Sequence, residues 1–344
     1  MTDVVKIVNA SAPTRICDNG GWTDTWFAGR GRIFNIAITP RVEVQIRCRA
    51  LAQSRPRVLI NAANFGDRYV WSGWATGRYE RHPLLEATID QIGLPDELAL
   101  EIDIYSEAPH GASMGTSAAV CVALAAALDA LTPGRRTPHE LAYAAHAVET
   151  ERLGQQSGIQ DQLAAAYGGI NYIEMEDYPA ATVEQLALPP ATLLELERRL
   201  LLVYLGRPHH SSAVHEMVIR RLEMAGPAGS QLEPLRQAAT ASRAALLAAD
   251  FAAFGAALQR NTEAQRALHP ALVGEAAQAI IEIARRHEAL GWKVNGAGGD
   301  GGSVAILTGP DRAEARALRA AILAADPAWR LLPLALSPAG VQVW

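Results

Sequence analysis

The segment at residues 109–119, PHGASMGTSAA, constrains the fold most strongly, because a strand pattern precedes it and a helix pattern follows it. Apolar and polar residues alternate over 98–104, which predicts a half-buried strand. The run at 118–131 is almost entirely Ala, Leu and Val, which predicts a buried helix. Free amides at a helix N-terminus favour an anion. A tight turn capped by Ser and Thr explains the loop equally well, and no Lys follows its last glycine, so it is not a Walker A loop.

Composition and charge exclude several classes of function. The net charge of −5 argues against a general nucleic-acid binder. Cys17, Cys48 and Cys121 are widely spaced without a C-x-x-C pair, so neither a zinc site nor a disulfide framework is indicated. No apolar run is long enough to span a bilayer, and the first residues do not resemble a signal peptide. We therefore expect a cytoplasmic protein with neither a membrane nor a nucleic-acid partner.

Length and local patterns predict two closely packed domains. An acidic, proline-containing and aperiodic stretch at 178–190 places the boundary there, so the predicted domains are residues 1–185 and 186–344. In the first domain, strands are predicted at 32–38 and 42–48, separated at Thr39–Pro40. Thr137, Pro138 and Glu140 form a capping box, which predicts a helix ending near Leu153. The second domain is predicted to contain helices at 212–224, 231–249, 251–267, 274–290 and 311–325, and strands at 199–205, 292–294, 303–307, 331–336 and 341–344.

Three motifs, taken in chain order, resemble those of the GHMP kinases. The loop at 109–119 resembles the second family motif, P-x-G-x-G-L-G-S-S-A-A, with three mild departures. Residues 12–15 (APTR) followed by 20–24 (GGWTD) resemble the first motif, and 295–302 (NGAGGDGG) resembles the third. The resemblance implies an α+β fold with a ribosomal protein S5-like N-terminal ATP-binding domain and a ferredoxin-like C-terminal domain. It also implies an active site in the cleft between them, with ATP and Mg²⁺ as cofactors.

The resemblance assigns the cofactors to particular residues. Glu149 stands where the family's Mg²⁺-binding Glu does, five residues before Gly154, and is expected to bind the metal together with Ser117. Glu151 is two residues away and cannot share a helix face with Glu149, so only one of them is expected to face the site. Without the motifs, both would be taken as solvated glutamates. The residues expected to hold the nucleotide are Pro109, Gly111, Ala112, Ser113, Met114, Gly115, Thr116, Ser117 and Ala118.

Two residues are expected to be catalytic. Asp161 lies in the segment SGIQDQ, which resembles a galactokinase-like G-I-x-D-Q segment whose Asp sits beside the acceptor hydroxyl. Such a carboxylate takes the proton or holds the hydroxyl in line. The alternative is that Asp161 only caps a short helix at 160–167. Arg15, in the first motif, is expected to be a fixed positive charge that stabilises the acceptor oxygen or the transferring phosphoryl group; its alternative is a surface Arg at a strand end.

The first motif is also expected to contact the acceptor. Asp24 would accept hydrogen bonds from sugar hydroxyls, and Trp22, next to Gly21, would stack on a sugar face. A turn Asp and a core Trp are the ordinary alternatives. Trp71 and Trp74 are weaker candidates for the adenine pocket.

Two further segments are expected to contact the acceptor. In the third motif these residues are Gly298, Gly299 and Asp300, where Asp300 departs from the usual run of glycines. His210 and Ser211 precede a predicted helix and would meet a second anion, such as a phosphate on the acceptor. A His/Ser cap explains them equally well.

The GGWTDT sequence of the first motif resembles the sugar-1-kinase branch, which contains L-fucokinase and D-glycero-D-manno-heptose 7-phosphate kinase. The resemblance implies γ-phosphoryl transfer to the anomeric hydroxyl of a hexose or heptose, free or phosphorylated, by a monomer or homodimer. One alternative is a non-catalytic, galactokinase-like sugar sensor, which would be expected to lose the phosphate loop or the Asp. The other is an ATP-dependent decarboxylase of the same fold, which would release CO₂.

Overall fold

Two long antiparallel strands, β1 (Lys6–Asn19) and β2 (Gly31–Ala50), form the base on which the larger sheet is built. The computed structural model describes residues 4–53, 56–73, 76–208, 213–227 and 229–344, without the side chains of 53, 213 and 214. The last part of β2 pairs with β5 and its first part pairs with β6. The other strands of this eight-stranded sheet are β3 (Val58–Ala62), β4 (Asp67–Val70), β5 (Leu98–Ser106), β6 (Ile170–Asp177), β7 (Ala180–Gln185) and β12 (Gln342–Val343).

Four helices pack on one face of this sheet, and their apolar faces explain why. They are α1 (Pro83–Ile92), α2 (Thr116–Asp129), α3 (Pro138–Ala147) and α4 (Gln160–Tyr167). Helix α2 is apolar on all sides, and from Ala118 onward only Val120 is even partly exposed. The predicted capping box of α3 is confirmed, with the Glu140 carboxylate accepting from the Thr137 amide at 2.7 Å. A π-helical turn at Val148–Arg152 continues α3 toward the predicted end.

A four-stranded antiparallel sheet, in the order β11–β8–β10–β9, forms the second half. Alternate residues of β8 face opposite sides: Leu202 packs in a cluster with α8, and Val203 in a cluster with α9 and α10. This half contains β8 (Leu200–Tyr204), β9 (Gly291–Val294), β10 (Ser303–Leu307), β11 (Arg330–Leu332), α5 (Pro190–Arg199), α6 (Ala213–Ala225), α7 (Glu233–Leu247), α8 (Phe251–Leu268), α9 (Glu275–Arg286) and α10 (Arg312–Ala325).

The predicted break at Thr39–Pro40 was wrong, because β2 runs through it. In the pairing with β1, Thr14 lies opposite Ile38 and Pro13 opposite Arg41, so Thr39 and Pro40 bulge out of the ladder. A bulge needs no ladder hydrogen bond from the proline, which has no N–H to donate. The Thr14 hydroxyl closes the bulge by donating to the Pro40 carbonyl at 3.0 Å.

The stretch predicted to be aperiodic, 178–190, was also misjudged. It contains β7, which extends the larger sheet by pairing with β6, and Pro190 begins helix α5, which was not predicted. The strand predicted at 331–336 is short and ends at Leu332. The division at residue 185 stays a prediction, and β12 returns from the far end of the chain to pair with β1.

One apolar cluster joins the two halves beneath the cleft. Phe34 of β2 and Phe254 of α8 are fully buried and meet edge to face, with ring centroids 5.6 Å apart. Leu202 of β8 belongs to the same cluster. None of the described helices combines the length and apolar character that a bilayer crossing requires.

Phe254→Ala should destabilise the protein by about 3–5 kcal/mol, because a buried ring is lost and the site cannot collapse fully. Phe251→Ala, on the same helix, is the matched control. Phe251 is only partly buried; it packs against the edge of the cluster, with the Arg199 guanidinium 4.7 Å from the ring centroid, so a loss of about 1 kcal/mol is expected. Chemical denaturation measures both variants, and equal losses would contradict the role of this cluster.

Candidate active site

A cavity of about 590 Å³ lies between the phosphate loop (residues 109–118) and the third glycine motif. Its walls include every residue from Gly111 to Ala118, and Gly296 and Ala297 face them from the other half of the protein. Pro109 does not line the cavity, but its carbonyl accepts from the Ala112 amide at 3.2 Å and so shapes the start of the loop.

The phosphate loop joins β5 to the N-terminus of α2, and this confirms the predicted strand–loop–helix order. Gly115, the residue before α2, has φ of 68°, and a Cβ there would lie 3.2 Å from the Asp161 carboxylate. Only glycine therefore allows the loop to approach Asp161 this closely. Within the described residues, the hydroxyl oxygens of Ser113 and Thr116 are buried without a hydrogen-bond partner. Such hydroxyls, beside the free amides of a helix start, suit phosphate oxygens.

Arg15 and Asp161 form a bidentate ion pair at the wall of the cavity. The Arg15 Nε and Nη2 atoms donate to the two Asp161 oxygens at 2.8 and 2.9 Å. The third guanidinium nitrogen, Nη1, donates to the Ser113 carbonyl of the phosphate loop. The Arg15 side chain is buried, whereas 27% of the Asp161 side chain is exposed. Asp161 is thus held in one orientation while it stays accessible from the cavity.

Electrostatics around Arg15 favour its charge. Burial alone would lower the pKa of Arg15, but the carboxylates of Asp161, Asp18 and Asp24 outweigh burial, so its pKa is raised. The guanidinium therefore remains a permanent cation beside Asp161.

Glu149 lines the cavity from the π-helical turn, and Glu151 is exposed and does not line it. The Glu149 carboxylate accepts from the Ser157 hydroxyl and from the Gln162 side-chain amide, the latter at 2.9 Å. Burial raises the pKa of Glu149 to about 7, and these two hydrogen bonds oppose the shift only in part. Ser117 lies in the first turn of α2 and lines the same cavity.

The second part of the first motif, residues 20–24, does not line the cavity. Asp24 is buried, and one of its oxygens accepts from the Gln160 amide at 3.1 Å, so it caps the start of α4 from a distant part of the chain. Burial raises the pKa of Asp24 to about 6. Trp22 is buried and packs against His215 of α6, with ring centroids 4.9 Å apart. Neither Asp24, Trp22 nor Gly21 is among the residues that line the cavity.

The third glycine motif divides into two parts. Gly296 and Ala297 line the cavity, whereas Gly298 and Gly299 pack on the segment before α9, where the Gly299 amide donates to the Leu272 carbonyl at 2.9 Å. Asp300 is exposed and does not line the cavity.

Some of the remaining predicted contact residues lie outside the described part of the chain, and the others lie within it. His210, Ser211 and Trp74 lie outside the described residues. Trp71 is described, and it packs in the core of the first half. His215 is described as well, and it lines the cavity.

The sequence analysis did not predict the part of the cavity that contains Phe65. An exposed ring, Phe65, lies there between His82 and His110, with centroid separations of 5.2 and 5.5 Å. Leu84 and Ile104 add apolar walls. These residues come from four separate segments, and the only sequence signal was a lone Phe in a polar turn. Rings and aliphatic walls suit a flat nucleobase.

Each half of the chain matches a known protein family. The family described as GHMP kinases N terminal domain matches residues 82–169, and the family described as GHMP kinases C terminal matches residues 242–327. The bifunctional fucokinase/GDP-fucose pyrophosphorylase of Arabidopsis thaliana is 25% identical over 88% of this chain and 30% of its own length. The D-glycero-alpha-D-manno-heptose 7-phosphate kinase of Campylobacter jejuni is 25% identical over 59% of this chain and 60% of its own length. The chain thus spans less than two thirds of either relative.

Solved structures show the same fold. Lactococcus lactis galactokinase complexed with galactose superposes with a TM-score of 0.77 at 18% identity, covering 99% of this chain and 96% of that one. A D-glycero-D-manno-heptose 1-phosphate kinase from Bacteroides thetaiotaomicron gives a TM-score of 0.73 at 22% identity, with 98% of both chains covered. The predicted α+β fold with a GHMP N-terminal and C-terminal half is therefore confirmed. On the two family matches and the shared fold, this chain belongs to the GHMP kinases.

Proposed function

We propose that the chain is an ATP-dependent sugar kinase that transfers the γ-phosphoryl group to the anomeric hydroxyl of a hexose or heptose, free or phosphorylated. The observation that carries this proposal is the Arg15–Asp161 pair, which lies beside the phosphate loop in a cavity that both halves line. Relatives named as fucokinase and heptose 7-phosphate kinase support the sugar acceptor and the branch.

Asp161 would act on the acceptor hydroxyl. Its partly exposed carboxylate takes the hydroxyl proton as the acceptor oxygen attacks the γ-phosphorus, and the bond to the bridging oxygen of ADP breaks. The negative charge that moves onto the leaving phosphate needs fixed donors. Arg15 supplies a permanent positive charge, and the amides at the start of α2 supply oriented dipoles.

The phosphate loop would hold ATP, because its unpartnered Ser113 and Thr116 hydroxyls and its glycines fit a chain of phosphate oxygens. The cavity continues from this loop to Phe65 and Leu84, where the base would lie. Glu149 and Ser117 would hold Mg²⁺, which takes one or two carboxylates together with phosphate oxygens and water. When bound, the ion neutralises charge on the β- and γ-phosphates.

The acceptor would lie between Asp161 and the Gly296–Ala297 edge, next to His215. Asp24 and Trp22 would support this end from behind, through α4 and His215. Direct sugar contacts from Asp24, Trp22, Gly21, Gly298, Gly299, Asp300, His210 and Ser211 stay predictions, as do a cytoplasmic location and a monomeric or homodimeric state.

ADP release with MgATP, measured against L-fucose, D-galactose, D-arabinose, D-mannose, glucuronic acid and a heptose 7-phosphate, tests the proposal. We expect one strong acceptor, whose product carries a phosphate with the ³¹P–¹H coupling of an anomeric position. Phosphate at another hydroxyl would refute the anomeric assignment. ATP binding without ADP release for any acceptor would favour a sensor, and CO₂ release from a branched acid would favour a decarboxylase.

Asp161→Asn should lower kcat by roughly 10²-fold while the affinity for ATP stays within threefold, because the amide cannot take the proton. The matched control is Asp129→Asn. Asp129 is likewise paired with an arginine, Arg136, but it is buried and does not line the cavity. Steady-state kinetics and ATP titration measure both variants. Wild-type kcat in Asp161→Asn would remove this residue from the mechanism.

Glu149→Gln should make the protein more stable at pH 8 by on the order of 2–3 kcal/mol and leave stability unchanged near pH 4. Burial raises the pKa of Glu149 to about 7 in the folded chain. The folded state therefore binds the proton more tightly than the unfolded state, and this stabilisation is lost as the pH rises through 7. Glutamine avoids the loss because it stays neutral. Denaturation at both pH values measures the effect, with exposed Glu151→Gln as control; a difference independent of pH would contradict it.

A further inference from the structure

A buried lysine that the proposed chemistry does not use lies behind the third glycine motif. Only 1% of the Lys293 side chain is exposed. Its ammonium has three acceptors: an Asp18 oxygen at 3.3 Å, the Gln265 side-chain oxygen at 3.3 Å and the Val294 carbonyl. Burying an ammonium is costly unless it is paired, and even so burial lowers the pKa of Lys293 while Asp18 partly restores it. A charge kept at this cost calls for a specific role.

The two side-chain partners of Lys293 both hold Gly296. Asp18 lies in an irregular part of β1, between Ile16 and Asn19, and its two oxygens accept from the Gly296 amide at 3.1 and 3.0 Å. Gln265 on α8 donates its side-chain amide to the Gly296 carbonyl at 3.2 Å. The two backbone groups of Gly296 are therefore held by two side chains that share one lysine.

This arrangement bears directly on the cavity. Gly296 lines it, and a Cβ on Gly296 would lie 3.0 Å from the Ser113 Cβ of the phosphate loop. The next part of the motif packs on the same group, since a Cβ on Gly298 would lie 2.5 Å from the Gln265 nitrogen. Asp18 also comes from the first half of the chain, and Lys293 and Gln265 come from the second half.

We propose that Lys293, Asp18 and Gln265 form a clamp that positions Gly296 against the phosphate loop, so that the acceptor end of the cavity keeps the spacing needed for transfer. None of the three side chains lines the cavity, so they are positioning residues that act through the Gly296 backbone. Their role in turnover rests on the proposed kinase function, whereas the clamp itself is a property of the free protein.

The test removes both charges together, with Asp18→Leu and Lys293→Met in one chain, because removing one partner would leave the other charge unpaired. Leucine has no oxygen that could accept from the Gly296 amide. The matched control is Asp129→Leu with Arg136→Met, a second pair with a buried carboxylate that does not line the cavity. Hydrogen exchange at the Gly296 amide is measured first, in the free protein. We expect about tenfold faster exchange or more in the clamp variant and no change in the control.

Kinetics with MgATP and the best acceptor of the panel are measured next. We expect kcat to fall by about 10- to 100-fold with the KM for ATP within threefold, because displacing the acceptor edge misaligns the reactants. The control pair should lose stability but keep its kcat. Unchanged exchange at Gly296 would overturn the clamp, and faster exchange with wild-type kcat would overturn its positioning role.

Two further provisions allow the proposal to be tested even if the double variant does not fold or no acceptor is found. Gln265→Glu retains an acceptor for Lys293 but has no amide to donate to the Gly296 carbonyl, so it should raise exchange and lower kcat without removing a charge. It replaces the double variant if that variant does not fold, and wild-type exchange and kcat in it would then overturn the clamp. If the wild-type protein phosphorylates no acceptor, the kinase proposal fails while exchange at Gly296 still decides whether the clamp exists.

Discussion

The guanidinium of Arg15 sets the arrangement of everything around it. Its fork binds Asp161 of α4 with two nitrogens and the Ser113 carbonyl with the third, and its own backbone amide donates to the Met114 carbonyl at 2.9 Å. Because the donors of a guanidinium have a fixed planar geometry, strand β1, the phosphate loop and α4 can adopt only one relative position. Asp161, the proposed base, and the loop that would hold the donor phosphates are thus placed by one side chain.

The neighbourhood of this pair is rich in buried charge. Asp18, Asp24 and Glu149 are each less than a tenth exposed, and the pKa values of Asp24 and Glu149 are raised by burial. A core made only for stability would place apolar residues here, since desolvating carboxylates opposes folding. The large apolar cluster beneath, around Phe34 and Phe254, offsets that cost. The apolar layer around Phe34 and Phe254 therefore stabilises the fold, and the adjacent layer of buried charge serves the proposed chemistry.

Local signals explain what could be predicted from the sequence. The helix opened by Thr137 and the strand–loop–helix around the phosphate loop depend on neighbouring residues, and both are confirmed. The strand break predicted at Pro40 was wrong because the bulge at this residue depends on pairing with β1, which is distant in the sequence. The site shows the same limit. Asp161 was predicted from a motif. The hydrogen bond from Gln265 to Gly296, in contrast, joins residues 31 positions apart that no local pattern connects.

Strand β12 has a consequence for how the protein is made. It covers the edge of β1, and Arg41 secures the preceding segment by donating to the carbonyls of Ala339 and Gly340 at 2.9 and 2.7 Å. This edge belongs to the first half, yet its cover is the last of the described strands to be synthesised. On the ribosome, the edge of β1 must therefore wait uncovered until the whole second half has emerged. An uncovered strand edge can pair with other chains, so the edge of β1 is exposed to mispairing until β12 has been synthesised.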